Sequence, residues 1–162
     1  MSRIGHCRGF GIQSPTDYNF VCNVVNERRP YYAYETLGKG SNRLRRKLGK
    51  LYFRLANYLQ PDTIDDLDGY ADWLTVACKK ARLCHPPQPA ALVIAPIEED
   101  PQRILSLCQE QTVLAVSNIW KDMKKWNMLA CHSKATIVFD LYYCGIAFFD
   151  PKRAKQQYIV NF

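Results

Sequence analysis

The sequence lacks the short motifs that identify the commonest nucleotide-binding and hydrolytic sites. It has no P-loop, no nucleophile elbow and no H-E-x-x-H segment, which excludes the standard phosphate loops, serine hydrolases and zinc proteases. No apolar run approaches the roughly 20 residues of a membrane span. The N-terminal stretch "MSRIGHCRGFGIQ" also has no apolar core of signal-peptide length. We therefore expect a cytoplasmic protein.

Paired cysteine spacings are absent as well. The 7 cysteines are an odd number, and in a cytosolic chain most of them should be small buried hydrophobes. Cys78, Cys84 and His85, together with Cys131 and His132, could be combined into a metal site. The spacing C-x5-C-H matches no common structural zinc pattern, so we expect no metal.

The sequence gives little support for an acid–base catalytic pair. His132 and Asp140 could act as acid and base, but Asp140 ends a predicted strand, where turns favour aspartate. We therefore predict no catalytic residue.

The positive charge is concentrated in the first third of the chain. Residues 1–60 hold 11 Lys and Arg but 3 Asp and Glu, a net of +8, whereas residues 61–162 hold 11 against 12, a net of −1. A length of 162 residues suits one domain with a real core. We expect a basic helical segment over 1–60 and an α/β domain over 61–162.

The hydrophobic pattern alternates between helices and strands. "RLRRKLGKLYFRLANYL" (43–59) is the clearest amphipathic helix, and a second helix is predicted over 70–84. The strands "AALVIAP" and "TVLAVSN" are apolar throughout, as in a parallel sheet covered on both faces. "YYCG" between "ATIVFDL" and "IAFFD" is too short for a parallel crossover, so these two strands should form an antiparallel hairpin. The predicted class is α/β, a mostly parallel sheet that closes with this hairpin, and "QYIVNF" is a candidate terminal strand.

Several segments, in this order, carry a resemblance to one enzyme family. They are "RGFGIQSPTDY" (8–18), "PYYAYETL" (30–37), "LYFRLANYLQP" (51–61), "TVLAVSNIWKDMKKW" (112–126) and "FDLYYCGIAFFDPKR" (139–153). The sequence resembles class I S-adenosylmethionine-dependent methyltransferases, and within them a bacterial group. The resemblance implies a Rossmann-like sheet with an antiparallel strand inserted beside the sixth, and a cofactor turn after the first strand.

That turn departs from the family pattern, roughly E-x-G-x-x-x-G. "DDLDGYADW" (65–73) places Asp66 at the acid, Asp68 at the first glycine and Asp72 at the last, with Gly69 nearby. An aspartate there blocks close backbone approach and brings its charge towards the cofactor's carboxylate. Two unit charges about 4 Å apart repel by roughly 4 kcal/mol at an effective dielectric of 20, about a thousandfold in affinity. The turn thus resembles the relic of a cofactor site.

A second departure is length. Only "CHPPQP" separates residue 83 from residue 90, too little for the two crossover units that the family has there. We expect the family's second and third strands to be absent, including the strand whose acid would hold the ribose. The first strand would then lie at a bare sheet edge, which motivates the expectation of a homodimer.

Three functions remain open. The leading one is a degenerate methyltransferase-like protein, without catalysis or bound S-adenosylmethionine, that acts in binding or assembly. The second is an active methyltransferase with an atypical cofactor pocket. The third is a nucleic-acid-binding module, with Tyr31, Tyr32 and Tyr34 either stacking on bases or packing onto the sheet. Its candidate basic residues are Arg43, Arg45, Arg46, Lys47 and Lys50.

Overall fold

The computed structural model describes residues 11–162. The first ten residues, which hold most of the stretch examined for a signal peptide and the start of the motif at 8–18, lie outside the described part. The helices are α1 (Pro15–Phe20), continued by a π-helical turn (Val21–Val25), α2 (Arg43–Leu59), α3 (Ala71–Ala77), α4 (Pro101–Leu107) and α5 (Met123–Ala130), with 3-10 turns at Tyr32–Glu35 and Ile119–Lys121. The strands are β1 (Thr63–Asp66), β2 (Arg82–Leu83), β3 (Leu92–Pro96), β4 (Val113–Ser117), β5 (Ile137–Asp140), β6 (Cys144–Phe148) and β7 (Gln156–Ile159).

The seven strands form one sheet in the order β2-β1-β3-β4-β6-β5-β7. All neighbouring pairs are parallel except those of β6, which runs antiparallel to both β4 and β5. The predicted hairpin and the inserted antiparallel strand are therefore confirmed. The protein has a mostly parallel α/β sheet, and the candidate terminal strand is β7, paired with β5.

One prediction near β1 is wrong. The helix expected over 70–84 ends at Ala77, and the chain then returns to the sheet as β2. The N–H groups of Arg82 and Cys84 donate to the carbonyls of Asp62 and Ile64, so a two-residue strand lies where none was expected. The bare β1 edge that motivated a homodimer is thus covered in part. The homodimer itself stays a prediction.

Helices cover both faces of the sheet. α1, α2 and α3 pack on one face with Ile64, Ile94 and Phe139, and α4 and α5 pack on the other with Val93 and Val116. α2 shares its hydrophobic cluster with the strands, and Trp73 of α3 lies against Gly49 of α2. The proposed boundary at residue 60 stays a prediction. Within residues 11–162, no helix combines the length and the apolar character that crossing a membrane requires.

Candidate functional site

The turn between β1 and α3 is built around the Asp66 carboxylate. Its Oδ1 accepts the N–H of Asp68 at 3.1 Å, and Gly69 adopts a left-handed backbone with φ of 73°. Burial raises the pKa of Asp66, while the backbone N–H groups from Asp68 to Ala71 act in the opposite direction. The carboxylate at the predicted acid position therefore faces the turn's own amides.

Arg45 of α2 holds the other side of this turn. Its Nη2 donates to the carbonyl of Asp68 at 3.1 Å and to that of Gly69 at 2.6 Å. Its guanidinium lies 4.3 Å from the centre of the Tyr70 ring, a cation–π contact. The N–H groups of the turn thus meet Asp66 and its carbonyls meet Arg45, so the chain's own side chains occupy both kinds of backbone group.

Asp68 stands at the position of the family's first glycine, and its carboxylate is incompletely hydrogen-bonded. Its Oδ2 is buried and has no hydrogen-bond partner among residues 11–162. Burial raises the pKa of this carboxyl, with Asp66 and Glu98 adding to the rise and Ser117 and Arg45 opposing it. An ionised Asp68 is therefore unfavourable in the folded protein.

A buried polar cluster lies beneath the turn, at the carboxyl end of β4. The Tyr52 hydroxyl of α2 is 2.5 Å from Ser117 Oγ and 3.5 Å from Cys144 Sγ. Ser117 and Cys144 pair across β4 and β6, and the Tyr52 ring meets Tyr70 edge-on. Burial raises the pKa of Cys144 to about 12, so its thiol stays neutral and unreactive. Tyr52 therefore fills the end of the sheet where a parallel α/β fold usually binds ligands.

The cavity that remains at this edge is small and basic. It measures about 310 Å³, at the lower limit of ligand pockets. Arg45 and Lys121 contribute the charged groups of its lining, and Lys121 pairs with Glu98 at 2.9 Å. The full lining is Asn42, Leu44, Arg45, Leu48, Tyr70, Asn118, Trp120 and Lys121. Asp66, Asp68 and Asp72 are not among these lining residues.

No family model matches the sequence, and no curated protein matches it. A solved structure of a methyltransferase from Geobacter sulfurreducens is similar over 84% of this chain and 97% of its own, with 10% identity and a TM-score of 0.45. The strand order and the residues of the edge, rather than this match, indicate what the site can do.

The four residues predicted for the vestigial cofactor position are only partly brought together. Asp66, Asp68 and Gly69 form one turn, in which Gly69 supplies the left-handed backbone. Asp72 is exposed in the first turn of α3, where a negative charge favours the helix dipole. Their assignment to cofactor binding stays a prediction.

The five basic candidates separate into two groups. Arg45 turns to the β1–α3 turn, whereas Arg43, Arg46, Lys47 and Lys50 line an open groove on the opposite face of α2. Tyr31 and Tyr34 pack against Phe53, at ring distances of 5.1 and 5.3 Å. These two tyrosines therefore pack inward, but against α2 rather than onto the sheet as expected, whereas Tyr32 is 94% exposed.

The other candidate combinations are not assembled. Within residues 11–162, no three His, Cys, Asp or Glu side chains are grouped so that they could hold a metal ion. His132 precedes β5 and Asp140 ends it, so the length of the strand separates them. The Nδ1 of His132 instead accepts the N–H of Lys134 at 3.3 Å, and Asp140 accepts that of Tyr142 at 2.9 Å.

Sequence reasoning missed the contribution of α2 to the edge. The amphipathic pattern of residues 43–59 gives Tyr52 no polar role, and it places Arg45 only among the basic candidates. A tyrosine within a leucine stripe was the available signal, because a buried hydroxyl needs a polar partner. Nothing in the sequence marked Ser117 or Cys144 as that partner.

Proposed function

We propose that this protein is a cytoplasmic, methyltransferase-like protein that has lost S-adenosylmethionine binding and methyl transfer, and that it acts by binding another molecule. The observation that carries the proposal is the occupied β1–α3 turn. Arg45 binds the carbonyls of Asp68 and Gly69, and Asp66 binds the amide of Asp68. A cofactor's amino-acid end would have to displace these contacts.

The electrostatics of the edge support the same proposal. S-adenosylmethionine carries positive sulfonium and ammonium groups, and the open cavity offers Arg45 and Lys121. The carboxyl that could neutralise those groups is that of Asp68, which is half-buried with its Oδ2 enclosed, so that its ionised form is disfavoured. The charges of the cavity therefore oppose the sulfonium and ammonium groups, though not the carboxylate, and a volume of about 310 Å³ leaves little room for the cofactor.

Calorimetric titration of the full chain with S-adenosylmethionine and S-adenosylhomocysteine tests the proposal. We expect no saturable heat with either compound, from protein whose cooperative thermal unfolding shows that it is folded. Saturable micromolar binding of either compound would overturn the proposal. If Asp66→Asn or Asp68→Asn weakened such binding, the turn would be a working cofactor site and the protein an active-methyltransferase candidate.

A direct test of the closed turn uses Arg45→Ala. Removing the guanidinium frees two carbonyls and widens the basic cavity, but leaves Asp68 in place. We expect Arg45→Ala to remain without cofactor binding, because Asp68 still obstructs the turn. Saturable binding of the cofactor by Arg45→Ala would contradict this, since Arg45 alone would then keep the turn closed.

A further inference from the structure

One face of α2 carries a stripe of cations that the edge site does not use. Arg43, Lys47, Lys50 and Arg54 follow one another at spacings of four, three and four residues, with Arg46 beside them, so they lie on one side of the helix. At 1.5 Å per residue the stripe is about 16 Å long. Arg45 lies on the other side and binds the turn.

Three open grooves meet along this stripe. They measure about 420, 570 and 430 Å³, and Lys50 lines all three. Their cationic lining residues are Arg28, Arg29, Arg43, Arg46, Lys47, Lys50 and Arg54. The acidic ones are Glu27 and Glu35, of which Glu27 pairs with Arg29 at 3.7 Å. The joined surface, which we call the α2 groove, therefore keeps a large positive charge.

Within residues 11–162, carboxylate side chains do not pair with the main cations of the α2 groove. In the described part of the chain, no side-chain ion pair involves Arg43, Arg46, Lys47 or Lys50. Lys47 donates to the main-chain oxygen of Phe162 at 2.6 Å, and burial, with Arg43, lowers the pKa of Lys47. Lys50 lies 5.1 Å from the centre of the Tyr34 ring. A phosphate oxygen is a stronger acceptor for such donors than a carbonyl or a ring.

Hydrogen bonds fasten the framework of the groove, and the adjoining 3-10 turn carries one exposed aromatic ring. Arg54 is buried and donates to the carbonyls of Val24 and Val25 at 2.6 and 3.2 Å, which fastens the π-helical turn to α2. Tyr31 and Tyr34 line the groove and pack inward. Tyr32, between them, is 94% exposed. Its ring is available to stack on a base, which a single strand exposes and a duplex hides.

We infer that the α2 groove binds single-stranded nucleic acid, with the α2 cations on successive phosphates and Tyr32 stacked on a base. The inference deepens the proposed binding role by naming the class of partner. The α2 groove does not include the β1–α3 turn. A failed oligonucleotide titration would therefore contradict this inference alone, and a positive cofactor titration would contradict only the proposed loss of cofactor binding.

Fluorescence anisotropy with labelled oligo-dT and oligo-rU of about 20 nucleotides tests the inference. Four phosphate contacts predict that the logarithm of the binding constant falls with the logarithm of salt at a slope of about −3, from −0.7 per contact on a single strand. We expect weaker binding to a duplex of the same length. No binding at low salt, or tighter binding to the duplex, would overturn the inference.

A matched pair of triple variants separates the groove from overall charge. Arg43→Gln, Arg46→Gln and Lys50→Met together should reduce the slope to about −1, since each removes about 0.7. The control is Lys79→Gln, Lys124→Gln and Lys152→Gln, exposed lysines on other parts of the surface, and it should leave the slope unchanged. An equal effect of both triples would overturn the inference, because general charge would then account for binding.

Tyr32 supplies a second readout. Tyr32→Ala should weaken binding about tenfold without changing the salt slope, because one stacked base contributes roughly 1–3 kcal/mol. Tyr32→Phe should bind like the wild type. An unchanged affinity of Tyr32→Ala would remove the stacked base from the inference, and binding to phosphatidylserine vesicles without binding to oligonucleotides would assign the groove to a membrane surface instead.

Discussion

The guanidinium of Arg45 lies 2.6 Å from the carbonyl oxygen of Gly69 and joins α2 to the turn after β1. Gly69 permits this contact in two ways. Its φ of 73° is in the left-handed region that glycine tolerates best, and a Cβ there would lie 3.2 Å from Arg45 Nη2. Gly69, the glycine of this turn, therefore leaves room for Arg45 to bind its carbonyl.

The two hydrogen bonds of Arg45 to this turn should stabilise the fold. Arg45→Met keeps much of the side-chain length but removes the donors, and should lower the free energy of unfolding by about 1–2 kcal/mol. Arg46→Met is the control, because Arg46 makes one exposed contact of 3.4 Å with the Gly38 carbonyl, and it should stay within about 0.5 kcal/mol of the wild type. Urea unfolding measures both. Equal losses would contradict a specific role for Arg45.

The sheet could be predicted from the sequence because its signals are local. "TVLAVSN" and "AALVIAP" are apolar at every position, and four residues between "ATIVFDL" and "IAFFD" leave room only for a hairpin. β2 could not be predicted because a strand of two residues has no detectable periodicity. In addition, "CKKARL" continues the helical pattern, whereas the helix in the structure ends at Ala77.

The sequence predicts where the site lies along the chain but not which side chains meet there. It places aspartates after the first strand, whereas their contacts come from residues 23 or more positions away in the sequence. Arg45 reaches Asp68, and Tyr52 reaches Ser117, because α2 crosses the carboxyl edge of the sheet. Hydrophobic periodicity assigns a face to each helix but does not identify the polar groups that this face meets.

For Gly49→Ala, the sequence and the structure predict changes in stability of opposite sign. Helix propensity alone makes Gly49→Ala stabilising by about 1 kcal/mol. In the structure, however, an alanine Cβ would clash with the Trp73 indole, and such overpacking costs about 1–3 kcal/mol. We expect net destabilisation in thermal and urea unfolding. In a Trp73→Ala background the same substitution should stabilise, and a loss there would contradict the packing explanation.

A buried carboxylate links the two ends of the described chain. Asp17 is buried and accepts from Arg153 Nη2 at 2.6 Å and from the Tyr158 hydroxyl at 3.0 Å. Asp17→Asn leaves both donors poorly paired and should cost about 2–4 kcal/mol. Asp62→Asn is the control, since Asp62 forms an exposed pair with Lys80 at 3.3 Å, which should contribute little. A loss from Asp62→Asn as large as that from Asp17→Asn would contradict this prediction.

Asp68 makes stability depend on pH in an unusual direction. Burial raises the pKa of its carboxyl in the folded protein above the ordinary value of 3.8, so the folded state holds this proton more tightly than the unfolded state. Its contribution to stability is therefore greatest below about pH 4 and is lost as pH rises through the raised folded value. Ionised Asp68 opposes folding at neutral pH.

Asp68→Asn removes that charge and should stabilise the protein by about 1 kcal/mol at pH 7, because a half-buried carboxylate with an unsatisfied Oδ2 disappears. The gain over the wild type should vanish below about pH 4, where the wild-type carboxyl is protonated in both states. Asp72→Asn should have the opposite sign at pH 7, a loss of about 0.3–1 kcal/mol, since its exposed carboxylate favours the start of α3. Urea midpoints across this pH range measure both. A loss at pH 7 from Asp68→Asn would mean that its carboxylate is stabilised in the folded protein, as in a working cation site, and would weaken the case for an abandoned cofactor turn.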